Sequence, residues 1–285
     1  MHIDKTVLIT GCSSGIGYHV AVGLKARGYR VIATARQEPD VIRLQQAGLE
    51  ALQLDLDDSQ SIQQAVKQVL QLTDGKLYAL FNNGAYGQPG AVEDLSRDVL
   101  RQQFETNLFG WLELTNLIIP VMRQQGYGRI IQNSSVLGLI TLKYRGAYNA
   151  SKFALEGLTD TLRQELHGSH IHVSLVEPGP ISSDFRKNAY AKFKQNIHVE
   201  GSAHQDVYEA VERRLAAQPN PEQKDLFTLG PNAVLNKVIH ALEAKKPKPR
   251  YYVTVPTYLF AYLRRLLPTT ALDWLLRKAS SDENK

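Results

Sequence analysis

The sequence predicts an α/β fold, a doubly wound parallel sheet in a single domain. Three observations carry that expectation. A short β-branched run at 6–10 feeds directly into a glycine-rich turn, Gly11-Cys12-Ser13-Ser14-Gly15-Ile16-Gly17. Apolar strand-like runs then alternate with amphipathic helix-like stretches as far as residue 180. Polar candidate residues concentrate where the strand-like runs end, which is where ligands bind in such sheets.

Taken in order, Thr6-Val7-Leu8-Ile9-Thr10 reads as a buried parallel strand and 16–27 as the helix that follows the glycines. A second strand spans 30–35, a helix 39–47, a third strand 51–54, and a helix 57–72 opens on Asp or Ser as cap. Leu77-Tyr78-Ala79-Leu80-Phe81 is a fourth strand that runs into Asn82-Asn83-Gly84-Ala85. A long helix over 97–123 holds Thr106-Asn107, and the strand 129–133 leads into Ser134-Ser135. A second long helix spans 147–167, and the strand 171–176 ends at Pro178-Gly179. The rhythm breaks at 181–229, a polar stretch with Pro219-Asn220-Pro221 and two short helices, too long for an ordinary connection. It follows the strand end nearest the candidate chemistry, so it is read as a substrate lid. A helix over 230–245 and a last strand over 251–255 precede two tail helices, 258–267 and 271–278. The division expected is a cofactor-binding and catalytic core (1–180), the lid (181–229) and the C-terminal helices with the last strand (230–285).

The glycine loop has the context of a Rossmann-type dinucleotide site. Gly11 permits the tight turn, Gly15 lets a pyrophosphate approach the backbone, and Gly17 allows close helix–strand packing. The helix N-terminus offers free N–H groups and a partial positive charge, to which Ser13 and Ser14 add hydroxyls and Ile16 the start of the helix. The spacing is not that of a P-loop, because no Gly-Lys-Ser/Thr closes it. The second strand ends in Ala35-Arg36, where an NAD-binding fold usually carries a carboxylate for the ribose hydroxyls. A guanidinium there binds a 2′-phosphate, so NADP is expected and NAD is the less favoured cofactor.

Bulk numbers exclude other classes. The chain has 285 residues, 43% hydrophobic and 21% charged, enough for one large globular domain. The net charge of +5 comes without a dense basic block or aromatic-interleaved stripe, so nucleic acid is not an expected partner. The lone Cys12 makes no internal disulfide and is read as a small loop filler; one cysteine and no opening signal-peptide pattern suit a cytoplasmic protein. No metal site is expected.

Tyr148 and Lys152 lie at i and i+4 on the helix 147–167 and so share a face. A phenol is a poor base at neutral pH, and a nearby ammonium favours its phenolate. Tyr148 is therefore the candidate general acid/base. In the reducing direction it donates the proton as hydride reaches the carbonyl carbon. Lys152 is expected to lower its pKa and to bond the nicotinamide ribose, and Ser135 to hold the carbonyl oxygen. Tyr190 and Lys194 repeat the Tyr-x-x-x-Lys spacing but lie in the lid segment, with no Ser-Ser strand end before them.

With these residues in order, the chain resembles the short-chain dehydrogenase/reductase family over about 5–185. The resemblance implies a catalytic tetrad of Asn107, Ser135, Tyr148 and Lys152; Ser135 rather than Ser134 takes the serine role because it lies thirteen residues before Tyr148. It implies that Asn107 kinks its helix and anchors a water in a proton path near Lys152. It gives Asp55 to the adenine and Asn83, beside Gly84, to the adenosine side. After Pro178-Gly179, Ile181 and Ser183 orient the nicotinamide carboxamide. One departure stands out: the family's Asn-Asn-Ala-Gly reads Asn82-Asn83-Gly84-Ala85, so Ala85 is expected to be strained if the family's glycine has positive φ.

The tail helices carry Leu, Phe, Tyr and Trp beside Arg264, Arg265, Arg277 and Lys278, which suits a cover for the substrate cleft or a weak membrane-surface contact. The similar aldehyde-, retinol- and hydroxysteroid-type reductases imply a small-molecule, lipophilic carbonyl compound or alcohol. The long helices resemble those of family homodimers and homotetramers. The alternative reading is a non-catalytic NADP-sensing binding protein on the same fold.

Overall fold

The computed structural model describes residues 5–216 and 227–281. Its strands are β1 (Thr6–Ile9), β2 (Arg30–Ala35), β3 (Glu50–Gln53), β4 (Ala79–Asn82), β5 (Gly128–Asn133), β6 (Ile171–Glu177) and β7 (Arg250–Tyr252). All pair in parallel, in the order β3-β2-β1-β4-β5-β6-β7. The order reverses between β1 and β4, and in sheets of this kind ligands bind at such a switch point, beyond the carboxyl ends of the strands.

Strand alternation builds two layers. In β1, Val7 and Ile9 face one core and Leu8 the other; Phe81 and Leu80 of β4 divide the same way. The first layer is completed by α1 (Gly15–Ala26), α2 (Glu38–Gln46) and α9 (Asn232–Glu243), through Val20, Leu24, Leu44 and Val238. The second is completed by α3 (Ser59–Leu72), α5 (Gly110–Gln125) and α6 (Gly146–Glu165), through Ile62, Leu114, Ile118 and Leu155. Each such aliphatic side chain contributes about 1.5–3 kcal/mol on burial. Asp58 caps α3 by accepting from the Gln60 N–H at 2.9 Å.

The long helix expected at 97–123 is interrupted. It is α4 (Arg97–Phe104), a π-helical turn over Glu105–Phe109, and then α5. The strand expected from Leu77 begins at Ala79. The Gln125 side chain takes up both backbone groups of Leu77, accepting from its N–H at 3.1 Å and donating to its carbonyl at 2.8 Å. The last strand stops at Tyr252, because α10 (Val255–Leu266) already starts at Val255 with Pro256 in its first turn. The strain expected at Ala85 is absent: Ala85 is not among the described residues with positive φ.

The segment 181–229 carries α7 (Phe185–Asn196) and α8 (Gln205–Ala216), while Pro219-Asn220-Pro221 lies outside the described residues. Phe193, Tyr208 and Val211 give this segment its own small core with Ala91. Its two ends are tied together: Ser182 N donates to the Leu229 carbonyl at 3.0 Å and Leu229 N to that of Pro180 at 3.2 Å. The tail forms α10 and α11 (Thr269–Ser281).

Candidate active site

The turn after β1 is built for close approach. Gly11 has φ +70°, and a Cβ there would stand 2.5 Å from Gly84 Cα. The close approach demands glycine at position 11, while a Cβ on Gly84 would meet Leu56 Cδ1 at 3.0 Å and Gly11 N at 3.3 Å, a tighter fit than usual. A Cβ on Gly17 would stand 2.1 Å from the Gly11 carbonyl oxygen, so the start of α1 packs directly on the turn. The Thr10 hydroxyl accepts from the Asn83 and Gly84 N–H groups at 2.8 and 2.9 Å. The Asn83 amide donates to the Thr10 and Gly11 carbonyls at 3.0 and 3.1 Å, and its oxygen accepts from Asn133 Nδ2 at 2.9 Å. Cys12 is fully buried, its thiol donates to the Ile9 carbonyl at 3.3 Å, and burial pushes it up to about 12, which leaves it an inert filler.

Around this turn stand the other expected cofactor residues. Arg36 is exposed at the end of β2, its carbonyl accepting from Gln53 Nε2 at 3.0 Å. Asp55 follows β3, its carboxylate accepting from the Asp57 N–H at 3.1 Å. Pro178 and Gly179 follow β6, and the Pro178 carbonyl accepts from Val136 N at 2.8 Å. Ile181 makes the bridge to Leu229, and Ser183 Cβ lies 3.0 Å from where a Cβ on Gly15 would sit. Ser14 stands at the N-terminus of α1 without a side-chain capping bond, and no acidic residue occupies the first turn. The N–H groups that follow, in a turn free of negative charge, fit a pyrophosphate.

The four catalytic candidates sit on three neighbouring elements. Asn107 lies in the π turn, fully buried. Its Oδ1 accepts from Tyr86 N at 3.2 Å, while Nδ2 donates to the Tyr86 carbonyl at 2.9 Å and to Ser151 Oγ at 3.2 Å. It pins the loop after β4 to α6. Ser135 follows β5, and its hydroxyl accepts from Leu137 N at 3.1 Å. Tyr148 is half-buried, edge-on to Phe185 of α7 at 5.3 Å between ring centroids. Lys152 is fully buried and donates to the Asn133 carbonyl at 2.8 Å, with its ammonium 4.4 Å from the Trp111 ring centroid.

The electrostatics differ from the expected phenolate. Burial pushes Tyr148 up to about 12, opposed by the nearby Ser135 hydroxyl and by the charge of Arg145. Burial lowers Lys152 to about 7, against the pull of Glu156. Loss of hydration outweighs the mutual attraction, because Lys152 turns its ammonium to Asn133 and Trp111. In this state Tyr148 is a phenol, the form that donates a proton.

Sequence reasoning missed a charged cluster under α6. Arg250 of β7 binds Glu156, Glu177 at 2.5 Å and Asp160 at 2.5 Å. Burial and the neighbouring Glu156 push Glu177 up to about 8, and burial raises Glu156. The signal available was Glu156 at i+4 from Lys152 and a glutamate ending an apolar strand. By contrast, Tyr190 and Lys194 both bond Glu212 of α8, at 3.0 and 2.9 Å, and so tie α7 to α8.

Next to Tyr148, Leu137, Ile140, Leu142, Phe260, Leu272 and Leu276 form an apolar wall. Among the described residues no group of His, Cys, Asp and Glu could hold a metal, and no helix is long and apolar enough to cross a membrane.

The glycine turn, the fold and the order of these residues define a nicotinamide-dependent oxidoreductase class. A family model described as short chain dehydrogenase matches residues 5–194, and the chain belongs to that family. It is 43% identical over 277 residues to an uncharacterized oxidoreductase, YbbO, of Escherichia coli K12, covering 96% of this chain and 95% of that one. It is 34% identical to human 17-beta-hydroxysteroid dehydrogenase type 1, over 87% of this chain and 77% of that one. A short-chain dehydrogenase structure from Streptomyces avermitilis superposes with a TM-score of 0.77 at 26% identity, with all of both chains covered. The protein is thus an NAD(P)-dependent dehydrogenase/reductase.

Proposed function

We propose that this oxidoreductase is an NADP-dependent reductase of a lipophilic aldehyde or ketone, acting through Asn107, Ser135, Tyr148 and Lys152. The observation that carries the reading is the pairing of Tyr148 with the fully buried Lys152 on α6, whose ammonium is tied through Asn133 and Asn83 to the glycine turn. When bound, the nicotinamide supplies the hydride.

Gly11, Ser13, Ser14, Gly15, Ile16 and Gly17 would hold its pyrophosphate, and Asp55, Asn83 and Gly84 the adenosine half. Arg36 would pair with a 2′-phosphate bidentately. Pro178, Gly179, Ile181 and Ser183 would line the nicotinamide end. Ser135 donates to the substrate oxygen and holds it against Tyr148, which passes its phenolic proton to that oxygen. The positive charge of Lys152 then stabilises the phenolate left behind. Asn107 keeps the loop after β4 and α6 in register while the proton is replaced.

The apolar wall beside Tyr148 suits a lipophilic substrate, as does the steroid named for the human relative. The segment 181–229, whose Phe185 lies on Tyr148, would act as a lid that excludes water. The tail helices would touch a membrane surface weakly, and exposed Phe109, Leu112 and Leu158 on the long helices would pair subunits in a homodimer or homotetramer of a cytoplasmic enzyme.

The test is loss of NADPH absorbance with medium- and long-chain aldehydes, retinal and ketosteroids, with NADH in parallel. Turnover with NADPH well above NADH supports the reading. Tight NADPH binding without turnover on any carbonyl compound contradicts it.

A further inference from the structure

Resting on that reading of the tail, we propose that α10 is an interfacial anchor for an anionic phospholipid membrane, with α11 supplying a second contact. The helix is amphipathic in an unusual sense, since its apolar stripe faces water. Val255, Tyr258, Leu259, Tyr262 and Leu266 are 67, 41, 52, 58 and 77% exposed. At about 100° per residue they fall within about 100° of arc. Thr257 and Ala261, on the other side of the helix, are buried. Apart from the edge-on contact of Tyr258 with Tyr252, at 5.3 Å between ring centroids, the stripe is turned to water. On α11, Trp274 is 57% exposed while Leu276 is buried against Leu137 and Ile140. Each tail helix thus has one face on the protein, with five large apolar side chains left outside on α10 and, among the described residues, Trp274 alone on α11. A run of large side chains on one helix face, ended by Leu266 and joined by a tryptophan, marks an interaction surface rather than scattered exposure.

Charge selects the occupant. Between Val255 and Ser281 the chain carries Arg264, Arg265, Arg277 and Lys278 against one carboxylate, Asp273. Arg264 and Arg265 also line a cavity of about 260 Å³ with Leu139, Arg250 and Ala261. Arg265 lies about 20° from Tyr258 and so borders the stripe, while Arg264 stands on the opposite side over the Phe153 ring at 4.8 Å; an apolar stripe with an arginine at its edge matches the boundary between acyl chains and anionic headgroups. A second copy of this chain fits less well, because a two-fold pairing of this face would bring the same cations together. The anchor also lies beside the substrate wall: Phe260 of α10 and Leu272 of α11 pack with Ile140, Leu142 and Tyr148. An enzyme held in this way takes a lipophilic substrate from the lipid phase rather than from water.

The experiment is co-sedimentation of the full chain with vesicles of phosphatidylcholine alone and of equimolar phosphatidylcholine and phosphatidylglycerol. The wild type is expected to bind the anionic vesicles strongly and the zwitterionic ones weakly. Leu259→Asp with Tyr262→Asp should lower binding about tenfold or more, with turnover of a water-soluble aldehyde unchanged, since both side chains stand outside the fold. Arg265→Gln should lower binding to anionic vesicles about fivefold, by about one headgroup attraction. Equal binding to both vesicle types, or binding that survives the double aspartate variant, overturns the anionic anchor while leaving the weak contact standing. Binding to neither vesicle overturns both. A dimer in gel filtration that the double variant abolishes assigns the face to a second copy and overturns the proposal. Retained aldehyde turnover in any of these cases keeps the reductase reading separate.

Discussion

Lys152 and Asn83 are joined through Asn133. The Asn133 carbonyl accepts from the Lys152 ammonium at 2.8 Å, and its side-chain amide donates to Asn83 Oδ1 at 2.9 Å. Asn83 in turn donates to the Thr10 and Gly11 carbonyls. One hydrogen-bonded chain thus runs from the Tyr-x-x-x-Lys helix to the glycine turn. Asn83→Ala removes its centre and should cost about 2–4 kcal/mol of stability, since the buried partners lose their bonds. It should also raise KM for NADPH more than it lowers kcat. Urea unfolding and steady-state kinetics check both.

In the proposed function, the preference for a phosphorylated cofactor rests on Arg36. Arg36→Asp replaces a bidentate donor with a repelling carboxylate, a change of about 2–3 kcal/mol or more, so the NADPH/NADH ratio of kcat/KM should fall at least about thirtyfold. An unchanged ratio removes Arg36 from the account.

The carboxyl of Glu177, raised to about 8, sets a pH dependence. Its folded pKa lies above the unfolded value. The proton it holds therefore contributes stability that is fully present below about 4.5 and is lost as pH rises towards about 8. Glu177→Gln imitates the protonated form and should unfold with a flatter pH profile between 5 and 8 than the wild type (thermal melts in a pH series). Arg250→Met, which leaves the buried Glu156 and Glu177 carboxyls without their cation while Asp160 keeps Arg163 at 2.5 Å, should cost about 3–5 kcal/mol at pH 7.

Lys152 has the opposite linkage. Its folded pKa of about 7 lies below the unfolded value, so folding opposes its charge below pH 7 and stability recovers as pH rises from about 7 to about 10.5. Lys152→Met should therefore be more stable than wild type at pH 7 by roughly 1–3 kcal/mol, a gain that shrinks towards pH 10, while turnover collapses. A destabilised, active variant contradicts the assignment.

Tyr190→Phe and Lys194→Met should leave kcat/KM within about twofold and the thermal melt nearly unchanged, because their shared partner Glu212 makes a surface contact.

Strand alternation and helix periodicity made the two-layer sheet legible, and the spacing around Gly11, Ser135, Tyr148 and Lys152 placed the crevice. The missing detail is non-local. A π turn inserts one extra residue near Asn107, and periodicity over 97–123 does not register a single residue. The start of β4 depends on Gln125, whose side chain serves Leu77 from 48 positions away. The Arg250 cluster joins Glu156 to a strand 94 positions later, so neither local charge pattern showed it. The pKa of Lys152 follows from burial, which the residue spacing alone does not reveal.

The most direct test of the central claim is Tyr148→Phe, measured for carbonyl-dependent NADPH oxidation and for NADPH binding by fluorescence. Loss of the proton donor should lower kcat by about 10²–10⁴-fold with binding within about twofold. Turnover near the wild-type rate with binding intact would contradict the assignment of Tyr148 as the acid.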